Sequence, residues 1–216
     1  MIDTFKHKGL RNKMVDELRV LGISDEQVLT AINNVPRHWF LDNAFLEYAY
    51  QNKAFPIGSG QTISHPFTVA YQTQLLEIKK GEKVLEVGTG CGYQTSVLMQ
   101  MGAKVFSIER QQALFVKTKK FFAEANIRAK VFYGDGYQGI PVFAPYDKVI
   151  VTAGAPYVPE ALIKQLVEGG RIVIPVGEGD KQIMTVIDKL KGGALKKYEL
   201  DEFSFVPLLV DKNWEK

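Results

Sequence analysis

Along the first third of the chain, apolar positions recur at helical spacing. Met14, Leu18 and Leu21 fall on one face of a helix that Gly22 is placed to end. Ser24, with Gln27 three residues later, has the form of a capping box. Val28, Leu29 and Ile32 continue that second helix until Pro36. Residues 37–50 are rich in aromatics and predict a short helix packed on the segment after it. Residues 54–66, AFPIGSGQTISHP, hold two prolines, two glycines and several hydroxyls, which predicts a structured loop rather than a regular element. Helical spacing resumes over 69–78.

From Lys83 the rhythm changes to short apolar runs alternating with helical patterns. Strands are expected at 84–87, 105–108, 130–133, 148–152, 171–176 and 183–190, with helices at 94–101 and 111–125 and one opened by Pro159 over 159–167. Lys191-Gly192-Gly193 makes a turn, and a last strand is expected over 203–209. This alternation predicts an α/β fold: a doubly wound, mostly parallel sheet, with N-terminal helices and an antiparallel C-terminal edge.

The 216 residues suit a single domain over 1–216, with helices and a substrate-side loop over 1–79 and a cofactor-binding core over 80–216. The balance of 27 basic and 24 acidic residues gives +3, too mild to point to a nucleic-acid or membrane partner. With the single cysteine Cys91, neither an internal disulfide nor a cysteine-rich zinc site can form, and no metal is expected. No signal-peptide core and no long apolar run is evident, so the expected compartment is the cytoplasm. The expected state is a monomer.

The strongest local signal is VLEVGTGCGY, residues 84–93. A buried strand runs into Gly88-Thr89-Gly90-Cys91-Gly92 and on into a helix, and glycines there let a ligand approach the main chain. The dinucleotide pattern G-x-G-x-x-G is not met, because Tyr93 stands where its last glycine would be. Glu109 closes the next strand 21 residues after Gly88, a spacing at which an acid accepts ribose hydroxyls; a solvated strand-end glutamate is the plain alternative. Asp135, in YGDGYQG, is placed to accept an adenine amino group, or is an ordinary Asp-Gly turn residue. No phosphate-binding loop lysine is present, and Glu86 would repel a pyrophosphate while suiting a methionyl ammonium. S-adenosylmethionine is favoured over NAD or a triphosphate.

On these residues the chain resembles the protein-L-isoaspartate (D-aspartate) O-methyltransferase family, over roughly residues 11–211. VLEVGTGCGYQT resembles a cofactor loop that many methyltransferases share. IGSGQTISHP (57–66) is similar to the family's own signature, YDKVIVTAGAP (146–156) and GGRIVIPVG (169–177) to its later motifs, and FVPL (205–208) to its closing strand. The resemblance implies a Rossmann-like S-adenosylmethionine-dependent methyltransferase with Ser64 as its catalytic residue. It places cofactor contacts on Gln61, Thr62, Ile63 and Ser64, on Gly88, Thr89 and Gly90, on Glu109 and Arg110, and on Asp135 and Gly136. The implied reaction is methyl transfer to the α-carboxylate of L-isoaspartyl residues in damaged proteins and peptides, whose ester then closes to a succinimide. Asn52 and Ser204 depart from the aspartate and arginine common in the family, a difference that bears on the acceptor side.

The chemistry suits these residues. A carboxylate of pKa about 3.9 is already a nucleophile at neutral pH and needs no general base. The only histidines are His7, His38 and His65, and His65 is expected to line the site rather than to catalyse. Because an anion meets a sulfonium cation, charge disappears toward the transition state, so modest donors such as Thr62 and Ser64 suit the site better than a fixed cation. Ser64 would orient the acceptor; the plain alternative is a serine capping the helix near Pro66. Ala153, Gly154 and Ala155 in TAGAP either let a peptide backbone approach or pack under a helix, and the absence of an Asn-Pro-Pro-aromatic sequence there disfavours nucleobase amines. Cys91, Trp39 and Trp214 read as packing residues, with Trp214 also placed to cover the cleft. The competing readings are a methyltransferase for RNA or a small molecule, and a non-catalytic module that retains the fold.

Overall fold

The computed structural model describes residues 2–209, so Trp214 lies outside the described residues. Helix α1 (Phe5–Val20) buries Arg11, Met14, Val15 and Leu18. Leu21, expected on that face, follows the helix instead and is 50% exposed; Gly22 then takes the left-handed turn at φ 100°. Helix α2 (Glu26–Asn34) begins one residue later than the capping pattern predicts. Asp25 is the cap, its carboxylate accepting the N–H groups of Gln27 and Val28, and its charge complements the helix N-terminus. Ser24 instead gives its N–H to Gln74 Oε1 at 2.8 Å. The aromatic segment forms two 3-10 turns, Arg37–Phe40 and Asn43–Tyr48.

Residues 54–66 are more regular than expected. Strands β1 (Phe55–Gly58) and β2 (Gln61–Ile63) make an antiparallel hairpin whose tip uses left-handed Gly58, Ser59 and Gly60. The prolines that argue against strands occupy tolerated places: Pro56 in a two-stranded, all-edge sheet, and Pro66 at the start of helix α3 (Pro66–Leu76).

The main sheet comprises β3 (Lys83–Val87), β4 (Lys104–Glu109), β5 (Lys130–Tyr133), β6 (Tyr146–Val151), β7 (Leu166–Val176), β8 (Gln182–Lys189) and β9 (Leu195–Phe203). Helices α4 (Tyr93–Gln100), α5 (Gln112–Glu124) and α6 (Glu160–Lys164) connect them. The spatial order is β5-β4-β3-β6-β7-β8-β9, parallel as far as β7 and antiparallel for the last two strands. Helix α6 stops short of the expected 167 because Leu166 already pairs with Tyr146. The expected last strand is displaced: pairing runs through β9, and residues 205–209 leave the sheet to cross over β6, bridging Pro207 to Gly154. Strand β9 escapes the apolar pattern because it is an exposed, charged edge.

Side-chain alternation sends Val84, Ile150 and Val173 into a core with α1 to α5, and Leu85, Val149 and Ile172 into a second core with Leu162 of α6. The chain runs from β3 outward to β4 and β5, then returns to place β6 on the other flank of β3. That reversal opens a crevice at the carboxyl ends of β3 and β6.

Candidate active site

A cleft lined by the ends of β3, β4 and β6 and by the β1–β2 hairpin occupies this crevice. Its floor is built from strand ends. Gly88 follows β3 at φ 99°, and a Cβ there would lie 2.4 Å from Thr152 Oγ1, so both conformation and crowding require glycine. The Thr152 hydroxyl donates to the Gly88 carbonyl at 2.8 Å. Gly136, after β5, is a second close approach, since a Cβ would meet Val87 Cγ1 at 2.6 Å.

Glu109 ends β4 and is buried at the cleft wall. Its Oε2 accepts the Gly90 N–H and its Oε1 the Gln111 N–H, both at 2.8 Å. Burial raises its pKa against these stabilising bonds. A carboxylate has about four acceptor positions, and those that the backbone leaves open suit the hydroxyls of a ribose. Opposite, strand β2 and the residue after it bring Gln61, Thr62, Ile63 and Ser64 to the cleft. The hydroxyls of Thr62 and Ser64 bond to no other side chain or backbone group among the described residues, so both are available as donors.

Thus Gln61, Thr62, Ile63, Ser64, Gly88, Thr89, Gly90, Glu109, Arg110 and Gly136 all line one cleft. Asp135 does not; it caps the adjoining 3-10 turn, Oδ1 accepting the Tyr137 N–H at 2.9 Å, and its neighbour Gly136 forms the wall. Glu86 is also displaced from its expected role. It points with Val84 to the helical face, fully buried, accepting from Thr95 Oγ1 at 2.5 Å with Oε1 unpartnered. Burial pushes its carboxyl up to about 8, so it is chiefly a neutral group under α4 rather than a partner for an ammonium.

Ser64 is not a helix cap: His65 holds that position without a side-chain bond, and Asn52 Oδ1 accepts the Phe67 N–H at 3.0 Å. Asn52 therefore caps α3. Ser204 is exposed, and His65 is not among the lining residues. Gly154 and Ala155 are packing residues, since Gly154 bonds the backbone of Val206 and Leu208, and Ala155 that of Pro175 and Gly177. Cys91 reaches the cleft, but burial lifts its thiol to about 11, which suits a packing role. Asp3, His7 and His38 each bring a ligand atom within 4.8 Å of the others. Arg11 occupies both Asp3 oxygens, and the two rings lie 3.9 Å apart and 32° from parallel, so their lone pairs do not converge on an ion.

Sequence reasoning misses other parts of the wall, among them Tyr93 and Gln94 of α4, and residues 206–209, which close the cleft. Val206, Leu208 and Leu209 are legible as apolar, but the pattern places them in a strand. Their apolar character comes from covering the cleft and, for Leu208, from joining the second core.

A carboxylate that holds a glycine turn, facing a cleft with no lysine in its described lining, fits an adenosyl sulfonium rather than a polyphosphate. With the mostly parallel seven-stranded sheet and its antiparallel edge, this defines the class of S-adenosylmethionine-dependent methyltransferases. Within that class, the family model for protein-L-isoaspartate(D-aspartate) O-methyltransferase matches residues 9–213, and the chain belongs to this family. It is 58% identical to the protein-L-isoaspartate O-methyltransferase of Flavobacterium johnsoniae, with 99% of this chain and 100% of that one covered. It is 54% identical to that of Cytophaga hutchinsonii, with 99% and 97% covered. A solved protein-L-isoaspartate O-methyltransferase superposes with a TM-score of 0.83 at 30% identity, covering 91% of this chain and 65% of that one. A Plasmodium falciparum protein assigned to the same activity, solved with S-adenosyl-L-homocysteine, gives 0.80 at 26% identity, covering 94% and 98%.

Proposed function

We infer that this chain transfers the methyl group of S-adenosylmethionine to the α-carboxylate of L-isoaspartyl residues in damaged proteins and peptides. The bound cofactor supplies an electrophilic methyl on sulfur. Glu109 and the turn through Gly88, Thr89 and Gly90 hold its ribose side, with Arg110 and Gly136 flanking, and Asp135 completes the set only through the oxygen that Tyr137 leaves free. Gln61, Thr62 and Ile63 close the opposite wall. Ser64 would orient the acceptor, its hydroxyl donating to one carboxylate oxygen and leaving the other free to take the methyl group, with S-adenosylhomocysteine as the leaving group. The acceptor arrives ionised, so no residue removes a proton, and the ester formed closes to a succinimide without further catalysis. The observation that carries this reading is the pair of uncommitted hydroxyls, Thr62 and Ser64, lining the same cleft as Gly88 and Glu109.

Three further expectations belong to the same reading. The charged edge strand β9, with Lys196, Lys197, Glu199 and Glu202, supports a monomer by opposing edge-to-edge pairing, and sedimentation tests it. The reading also places the chain in the cytoplasm, which fractionation tests; no described helix is long and apolar enough to cross a membrane. The core shared by α1 to α5 and the sheet supports one domain over the chain. Methyl transfer to peptides that differ in one isoaspartyl linkage tests the activity itself.

A further inference from the structure

Among the described residues Arg37 is the largest fully buried side chain, at 0% exposure, and no carboxylate pairs with it. A buried, unpaired guanidinium is costly, so its contacts need an account. Its Nη2 donates to two carbonyls, Ser64 O at 2.6 Å and Lys53 O at 3.2 Å. Those residues flank the β1–β2 hairpin: Lys53 precedes β1 and Ser64 directly follows β2. The guanidinium carbon also lies 4.9 Å from the centre of the Tyr93 ring, the first residue of α4 after the glycine turn. Tyr93 in turn meets Phe40 edge-on at 5.4 Å. Nε and Nη1 have no hydrogen-bond partner, so the geometry favours two backbone acceptors and a ring face over full satisfaction of the cation.

We propose that Arg37 is a positioning residue of the methyl-transfer site. One nitrogen clamps both ends of the β1–β2 hairpin, and the ring stacking ties that clamp to the start of α4, fixing Ser64 relative to the glycine turn. The hairpin has only seven residues in its two strands, and a lone two-stranded hairpin is marginal in water. The cation sits one layer behind the cleft wall and is not among its lining residues. It can therefore hold the acceptor side without contacting the carboxylate directly, which would favour the ground state over the transition state. The proposal rests on the acceptor-orienting role of Ser64.

The test compares Arg37→Met, which keeps length but removes charge and donors, with Arg37→Lys, which keeps the charge. Amide hydrogen exchange is followed over 53–64 and over 104–109, alongside steady-state kinetics with an isoaspartyl peptide and S-adenosylhomocysteine affinity. For Arg37→Met, exchange over 53–64 is expected to accelerate about tenfold or more with 104–109 unchanged. Peptide KM should rise about tenfold, S-adenosylhomocysteine affinity should change less than about threefold, and Arg37→Lys should recover part of both losses. Should Arg37→Met fail to fold, Arg37→Lys is judged by the same local exchange and KM increases at reduced size. Unchanged exchange over 53–64, or equal acceleration over 104–109, would overturn the clamp. Faster local exchange with unchanged peptide KM and kcat would overturn the proposal through its premise, the role of Ser64.

Discussion

The backbone N–H of Gly90 donates to Glu109 Oε2 at 2.8 Å, tying the turn after β3 to the end of β4. One carboxylate thus shapes the glycine turn and presents its remaining acceptor positions to the cleft. Removing it should affect cofactor binding in both ways. Glu109→Ala is expected to weaken S-adenosylhomocysteine binding about tenfold to a hundredfold, the range for losing charge-assisted hydrogen bonds. Calorimetry measures this, and unchanged affinity would remove Glu109 from the site.

Ser64 has a more limited role. Ser64→Ala should leave S-adenosylhomocysteine affinity within about threefold while lowering kcat with an isoaspartyl peptide about tenfold or more and raising peptide KM. Full turnover with an unchanged peptide KM would exclude the orienting role.

Gly88 is constrained twice, by φ 99° and by Thr152 Oγ1, which lies 2.4 Å from the position a Cβ would take. Gly88→Ala should cost on the order of 1–3 kcal/mol of stability and abolish measurable cofactor binding. Adding Thr152→Ala removes the crowding but not the backbone strain, so Tm should recover only in part. Complete recovery in the double variant would show that crowding alone makes glycine necessary.

Glu86 sets a pH dependence of unusual sign for a carboxyl. Its folded-state pKa is raised to about 8, above the 4.5 of a free glutamate. Between these values the folded chain binds more protons than the unfolded one, so this group's contribution to stability falls as pH rises through that window. Glu86→Gln keeps an acceptor for Thr95 and removes the titration. Its thermal stability relative to the native chain should therefore improve from pH 5 to pH 8, by an amount on the order of a few kcal/mol. Parallel melting profiles across that range would contradict the assignment.

The parallel strands and the glycine turn are legible in the sequence because buried strands and tight turns leave strong local marks. Residues 130–133 are a strand in both the pattern and the structure. What the pattern misplaces depends on partners distant in the chain. Strand β9 is polar because it is an edge, and residues 205–209 are apolar because they close a cleft, so alternation exchanges the two. Asp25 rather than Ser24 caps α2 because Gln74, 49 residues after Asp25, takes the Asp25 and Ser24 N–H groups. Arg37 carries no sequence signal of its own, and only the fold places its guanidinium against the Ser64 carbonyl. Glu86 misleads for a related reason. Its neighbours on either side, Leu85 and Val87, face the second core, so the period of two turns its carboxylate away from the cleft.

The most direct test of the central claim is transfer of labelled methyl from S-adenosylmethionine to two peptides identical except for one isoaspartyl or aspartyl linkage. Base-labile label on the isoaspartyl peptide alone is the predicted result. Label on neither peptide, with S-adenosylhomocysteine still bound, would contradict the assigned acceptor.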